Sequence, residues 1–179
     1  MLSYANLDCY FINNLISESP LLRMVKLNGA ALRVIEISHI NNASDKLLQA
    51  VADHCPLMVT ILLTFLNNYL NDDEEEDRRL LISDTGVCAL AKQCPCLEKV
   101  EFACSNGVTN TSLFTIAAQC VNLKCLTFSG LPLCDEQGIW RVLKCCKILH
   151  KLRICHLDSQ AKATVKQLEV KYPDVEIIV

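Results

Sequence analysis

The chain has 179 residues, 51% of them hydrophobic and 21% charged, which fits one domain of medium size. Its 17 basic and 20 acidic residues leave a net charge of -3, which argues against nucleic acid as a partner, because no large basic face neutralises phosphates. The longest nearly apolar stretch, Met58 to Leu66, is nine residues and holds Thr60 and Thr64, so no membrane span is expected where roughly 20 apolar residues are needed. The first basic residue is Arg23 and no charged start leads into a long apolar core, so a cytoplasmic or nuclear location is expected.

In chain order, residues 1–31 read as an N-terminal cap or a degenerate repeat. Tyr4, Leu7, Tyr10, Phe11 and Leu15 are spaced for an amphipathic helical cap, and Leu22, Val25 and Leu27 for a compressed extra strand. From residue 32 a pattern of three apolar residues, L-x-x-L-x-L, returns at Leu32/Ile35/Ile37, Met58/Ile61/Leu63, Leu97/Val100/Phe102, Leu123/Leu126/Phe128 and Leu149/Leu152/Ile154, with a partial copy at Val175/Ile178. The first positions are separated by 26, 39, 26, 26 and 26 residues, the second interval being one period plus an insertion of 13.

Between the strands the apolar period becomes helical: Leu48/Val51/Ala52/Cys55, Val87/Leu90/Ala91/Cys94, Leu113/Ile116/Ala117/Cys120 and Ile139/Val142/Leu143/Cys146, weakening at Val165/Leu168/Glu169/Tyr172. Asp45, Asp84 and Asn110 precede the first three, and Asp135 with Glu136 the fourth, as helix starts prefer. This predicts a helix over Asp84 to Cys94 and a strand over Leu97 to Phe102. The insertion, around residues 67–79, contains six consecutive acidic residues, Asp72 to Asp77, then Arg78 and Arg79, and reads as a solvated surface loop; without residues 72–79 the net charge would be +1. Units that cannot bury their apolar faces singly must stack, so the expected fold is an α/β solenoid of about five to six repeats over residues 32–179, with a parallel strand ladder on the concave face and helices on the convex face. Its last strand carries no polar cap in this sequence.

Twelve cysteines could form disulfides or serve as small buried groups. Cys55, Cys94, Cys120 and Cys146 fall at one repeat position and are expected to be reduced and buried. Cys94/Cys96, Cys145/Cys146 and Cys155/His156 lack the paired C-x2-C spacing of structural zinc, so no metal is expected. Cys88, Cys125, Cys134, Cys145 and Cys155 lie off the main phase and are the candidates for exposed, reactive thiols. No phosphate loop, paired-histidine motif or nucleophile elbow is found, and Cys125 with His150 is the one pair that could be asked to act as nucleophile and base. No enzyme activity and no cofactor are expected. The histidines read as surface or capping residues, with His150 placed in a strand.

The segments Ile82-Ser83-Asp84-Thr85-Gly86-Val87-Cys88-Ala89-Leu90-Ala91-Lys92-Gln93-Cys94-Pro95-Cys96-Leu97 and Val108-Thr109-Asn110-Thr111-Ser112-Leu113 through Cys120-Val121-Asn122-Leu123 resemble the cysteine-containing leucine-rich repeats of F-box/LRR and AMN-one-type proteins. The resemblance implies a protein-binding module, and further a substrate-recognition adaptor of an SCF-type ubiquitin ligase. No F-box is seen, so a connection to cullin ligase components would run through another chain; the alternative is a structural subunit of a larger assembly, ciliary or cytoskeletal for example. In a ladder of this kind the outward strand positions are Val34 and Glu36, Thr60 and Leu62, Lys99 and Glu101, Cys125 and Thr127, Lys151 and Arg153, then Ile177 and Val179. Lys99, Lys124, Lys151 and Arg153 form a small basic strip beside Glu98 and Glu101. The expected partner-binding residues are therefore Glu36, Lys99, Glu101, Lys124, Cys125, Thr127, Lys151 and Arg153, facing a protein with acidic or phosphorylated groups.

Overall fold

A computed structural model describes residues 3–8, 18–38, 43–64, 82–102, 107–128, 134–154 and 159–178. Among them seven strands alternate with six helices: β1 (Tyr4–Asp8), α1 (Glu18–Asn28), β2 (Val34–Ser38), α2 (Asp45–His54), β3 (Thr60–Thr64), α3 (Asp84–Gln93), β4 (Lys99–Phe102), α4 (Asn110–Gln119), β5 (Cys125–Phe128), α5 (Glu136–Cys145), β6 (Lys151–Ile154), α6 (Ser159–Lys171) and β7 (Glu176–Ile178). The strands form one parallel sheet in chain order. The fold is an α/β solenoid of leucine-rich-repeat type.

The repeat becomes a core because the register stacks like on like. Ile35, Ile61, Val100, Leu126 and Leu152 are partners across successive strands, as are Ile37, Leu63, Phe102, Phe128 and, one strand on, Ile154. All ten are at most 2% exposed, and they join Leu48, Val51, Val87, Leu90, Leu113, Ile116, Ile139 and Val142 of the helices in one cluster. With neighbouring strands about 4.8 Å apart, each apolar row is closed by the next unit and by the helix layer.

The N-terminal segment continues this ladder. Tyr4 and Leu7 lie in β1, paired with β2 through Tyr4↔Val34 and Leu7↔Ile37, and not in a helix. Leu22, Val25 and Leu27 lie in α1, where Val25 is buried and Leu27 is 80% exposed, the alternation of a helix rather than a strand. Tyr10, Phe11 and Leu15, and the acidic insertion at 67–79, fall outside the described residues.

Helix starts are built by two neighbouring residues with separate tasks. The side-chain oxygens of Ser44, Ser83, Thr109 and Asp135 accept from backbone N–H groups two residues on, so these are the caps. Asp45, Asp84 and Asn110, expected to cap their own helices, instead reach forward to the next unit. Asp45 accepts from the Ser83 N–H at 2.8 Å and its hydroxyl at 2.5 Å; Asp84 accepts from the Thr109 N–H at 2.9 Å and hydroxyl at 2.6 Å, and from the Ser112 N–H and hydroxyl; Asn110 Oδ1 accepts from the Asp135 N–H at 3.2 Å. Glu18 does the same for Ser44. Burial pushes the Asp84 pKa up, but the hydrogen bonds from Ser112 and Thr109 together outweigh it and hold the carboxyl below its ordinary value.

The cysteines form a second ladder. Cys55, Cys94, Cys120 and Cys146 are the C-caps of α2 to α5, are at most 2% exposed, and are free thiols. Cys94 Sγ lies 3.3 Å from the Cys55 carbonyl and Cys146 Sγ 3.7 Å from that of Cys120. Cys120 Sγ faces the Ala91 carbonyl at 3.9 Å. A weak S–H donor small enough for the site satisfies a carbonyl of the preceding unit while packing as an apolar group.

The final unit departs from the period. In four earlier units one carbonyl receives two successive N–H groups: Arg33 from Val59 and Thr60, Val59 from Glu98 and Lys99, Glu98 from Lys124 and Cys125, Lys124 from His150 and Lys151. The His150 carbonyl receives Glu176 in place of such a pair, and one residue is lost. Leu152 therefore pairs with Ile177 and Arg153 with Ile178, which puts Ile177 against the core and Ile178 on the outward row. The sequence spacing assigns these two the other way round, and Val179, its second outward residue there, lies outside the described residues.

Candidate functional site

The face of the sheet opposite the helices is where the pleat delivers every second strand residue. One outward row runs Val34, Thr60, Lys99, Cys125, Lys151, Glu176; the next runs Glu36, Leu62, Glu101, Thr127, Arg153, Ile178. Tyr4 extends the first row, and its hydroxyl donates to Glu36 Oε2 at 2.7 Å.

The register brings the predicted residues of β4 to β6 together. Lys99 and Lys151 flank Cys125, and Glu101 and Arg153 flank Thr127. Two strand spacings separate Lys99 from Lys151, about 9–10 Å between backbones, a gap that their long side chains can span. Lys151 Nζ is 3.4 Å from Glu176 Oε2, whereas Lys99, Glu101 and Arg153 enter no ion pair among the described residues. Lys124 is not on an outward row: it precedes β5, and its Nζ is held 2.7 Å from Glu98 Oε2. Glu36 lies two strands from β4, beyond the cluster.

Two of the expected contact residues are less available than their strand positions suggest. Cys125 and Thr127 are each 7% exposed. They are short side chains in the middle strand of a patch whose neighbours are Lys, Glu and Arg, so the long stems on either side cover them. They form the floor of the patch, and its walls are charged. Cys134, also expected to be exposed, is 7% exposed with its Sγ 3.6 Å from the Val108 carbonyl, and burial, reinforced by Asp84 and Asp135, pushes its thiol up to about 12. Cys88 and Cys145 are half-buried. His150 stands just before β6 rather than in it, exposed, and among the described residues no hydrogen bond joins it to Cys125. Cys155 and His156 lie outside the described residues.

The helix side holds a feature that the sequence-derived site omits. An open groove of about 650 Å³ is lined by Phe114 of α4, Glu136, Gln137, Trp140 and Arg141 of α5, and Leu168 of α6. The signal for it was present: Phe114 and Trp140 lie one period apart and off the apolar helical phase. Among the described residues no helix is long and apolar enough to cross a membrane.

No family model matches the chain. Among solved structures it is similar to a chain of the complex of Rad7 and Elc1 from yeast, with a TM-score of 0.58 and 18% sequence identity, covering 92% of this chain. The match spans 36% of that chain, so this protein corresponds to about a third of it. At that identity the likeness is one of fold.

Proposed function

We propose that this protein is a non-catalytic protein-binding module that takes its partner on the helix-free face of the sheet, over β4 to β6. The observation that carries the reading is the register that gathers Lys99, Lys151 and Arg153, from strands 52 residues apart in sequence, around the floor of Cys125 and Thr127. A charged rim around a covered floor suits an acidic or phosphorylated segment, because Lys99 and Arg153, which enter no ion pair among the described residues, gain most from a carboxylate or phosphate. In this reading the module serves as a substrate-recognition adaptor for an SCF-type ubiquitin ligase, cytoplasmic or nuclear, tied to cullin components through another chain. The resemblance of its repeats to F-box/LRR proteins supports that role, as does a structural neighbour found in complex with a second protein.

The test is affinity purification with mass spectrometry, run in parallel on the natural chain and on Lys151→Glu with Arg153→Glu. Both positions are outward and off the core, so the variant is expected to fold. Recovery of ligase subunits with both chains, and of a client protein with the natural chain alone, is the expected outcome. A fixed assembly recovered equally by both, without ligase subunits, would make this a structural subunit instead.

A further inference from the structure

The helix layer of a solenoid repeats as regularly as its strands, so residues at one helical position can be compared unit by unit. Six residues before the cap that ends each helix, the chain carries Gln49 in α2, Cys88 in α3, Phe114 in α4, Trp140 in α5 and Lys166 in α6. This position faces away from the sheet: Gln49, Phe114 and Lys166 are exposed, Cys88 and Trp140 half-buried. Three units fill it with residues that need no burial, and two neighbouring units fill it with aromatic rings. The core accounts for those rings only in part: Trp140 packs partly against it, but Phe114 is not among the residues of that cluster, which these units build from Leu113, Ile116 and Ala117, and from Ile139, Val142 and Leu143. Phe114 is 42% exposed.

Both rings line the groove where the layer opens. Helix α6 is the helix packed least closely on its neighbour, and between it and α5 lies the groove of about 650 Å³ floored by Phe114, Trp140 and Leu168. Its charges are arranged by end. Glu136 and Gln137 stand at the start of α5, and Arg141 stands one turn further on, at a position where α2, α3 and α4 carry Ala50, Ala89 and Thr115. Arg141 enters no ion pair among the described residues, and Lys144 Nζ lies 4.6 Å from the centroid of the Trp140 ring. One cation of the lining, Arg141, and one beside it, Lys144 on the Trp140 ring, thus stand against the single anion Glu136 around an apolar floor built from Trp and Phe. Trp and Arg are the residue types that dominate binding energy when a partner excludes water from around them.

We infer that this groove is a second protein-docking site, and that its occupant is a short partner segment inserting a bulky aliphatic or aromatic side chain between Phe114, Trp140 and Leu168 and setting a carboxylate against Arg141. Charge complementarity selects the acidic flank. The open form of the groove suits a segment lying along it. The site is separate from the sheet face and does not depend on it.

Trp140 is the one tryptophan of the chain, so the groove carries its own reporter. The full chain is titrated with a synthetic peptide in which Leu and Phe are interspersed with Asp and Glu, and the emission of Trp140 is followed. Control peptides have Ser in place of Leu and Phe, or Lys in place of the acidic residues; decanoate serves as a small amphiphile. The expected result is a saturable blue shift with the acidic apolar peptide alone. Arg141→Glu and Phe114→Ser should each weaken it about tenfold or more, with unchanged circular dichroism. Lys151→Glu with Arg153→Glu should leave it unaltered, which separates this site from the sheet face. Absence of saturation, equal binding of the Lys-substituted peptide, indifference to both groove variants, or binding of decanoate without the peptide would each overturn the proposal.

Discussion

A thiol packed beneath a carbonyl, with no water to solvate a thiolate, holds its proton. Burial pushes Cys55 and Cys146 up to about 11 and Cys94, Cys120 and Cys134 up to about 12, from an ordinary 9.0; neighbouring thiols add to the shift of Cys94, Cys120 and Cys146. These folded-state values lie above the unfolded one, so the linkage has a definite sign. Below pH 9 the thiols are protonated in both states and stability does not respond to them. From pH 9 to about 11 only the unfolded chain ionises, the window reaching about 12 for Cys94, Cys120 and Cys134, and each such thiol then costs about 1.4 kcal/mol of stability per pH unit. The midpoint of urea unfolding is therefore expected to fall as pH rises from 9 to 10.5, and to fall less steeply in Cys120→Ala, which removes one of the titrating groups. Equal slopes for the two proteins across that window would remove the thiol ladder as the cause. The same burial predicts that native-state alkylation near neutral pH spares these five cysteines.

Helices pack in this layer at distances that particular small residues permit. A Cβ built on Gly138 of α5 would collide with Asn110 Oδ1 and lie 2.7 Å from Leu113 Cδ1, both of α4. The displaced amide is the one that accepts from the Asp135 N–H, so the collision would reach the cap of α5 itself. Gly138→Ala is expected to destabilise by about 1–3 kcal/mol although alanine is the better helix former by about 1 kcal/mol, because overpacking at a close contact outweighs propensity. Chemical denaturation decides the sign; a stabilised variant would mean that α4 and α5 slide apart at little cost. How much of this layer the sequence carries follows from the same geometry. The helices and strands were legible because core residues such as Leu90, Leu97 and Val100 recur at fixed spacing, and burial has no choice but to follow them. Single-residue assignments were not. Ser83 and Asp84 are both residue types that begin helices, and only the position of Thr109 in the next unit shows that Asp84 reaches forward. Ile177 and Ile178 are equally apolar, and the exchange between them came from a backbone contraction that no side chain announces. Of the candidate site, the companionship of Lys99, Lys151 and Arg153 was legible from register, while the covering of Cys125 and Thr127 depends on stems contributed by other strands.

At the scale of the molecule, one apolar cluster runs from Leu21 of α1 to Leu168 of α6, but each unit touches mainly the units beside it. In such an array cooperativity rests on the interfaces between neighbours, and weakening one interface should divide the whole. The middle of the array is spanned by Phe102 and Phe128, fully buried on β4 and β5 with ring centroids 5.7 Å apart and planes tilted by 53°. Two reporters stand on opposite sides of this pair: Cys55, the buried cap of α2, and Trp140 on α5. In the natural chain, urea should expose the Cys55 thiol and shift Trp140 emission at the same midpoint. Phe102→Ala removes about 3–5 kcal/mol at the central interface, through lost burial, the cavity left behind and the lost ring contact. With that coupling gone the two midpoints are expected to separate, each half unfolding according to its own stability. Coincident midpoints in Phe102→Ala, shifted together to lower urea, would show instead that the remaining contacts hold the two halves together, among them the bonds of Asp84 to Thr109 and Ser112, which cross the same boundary.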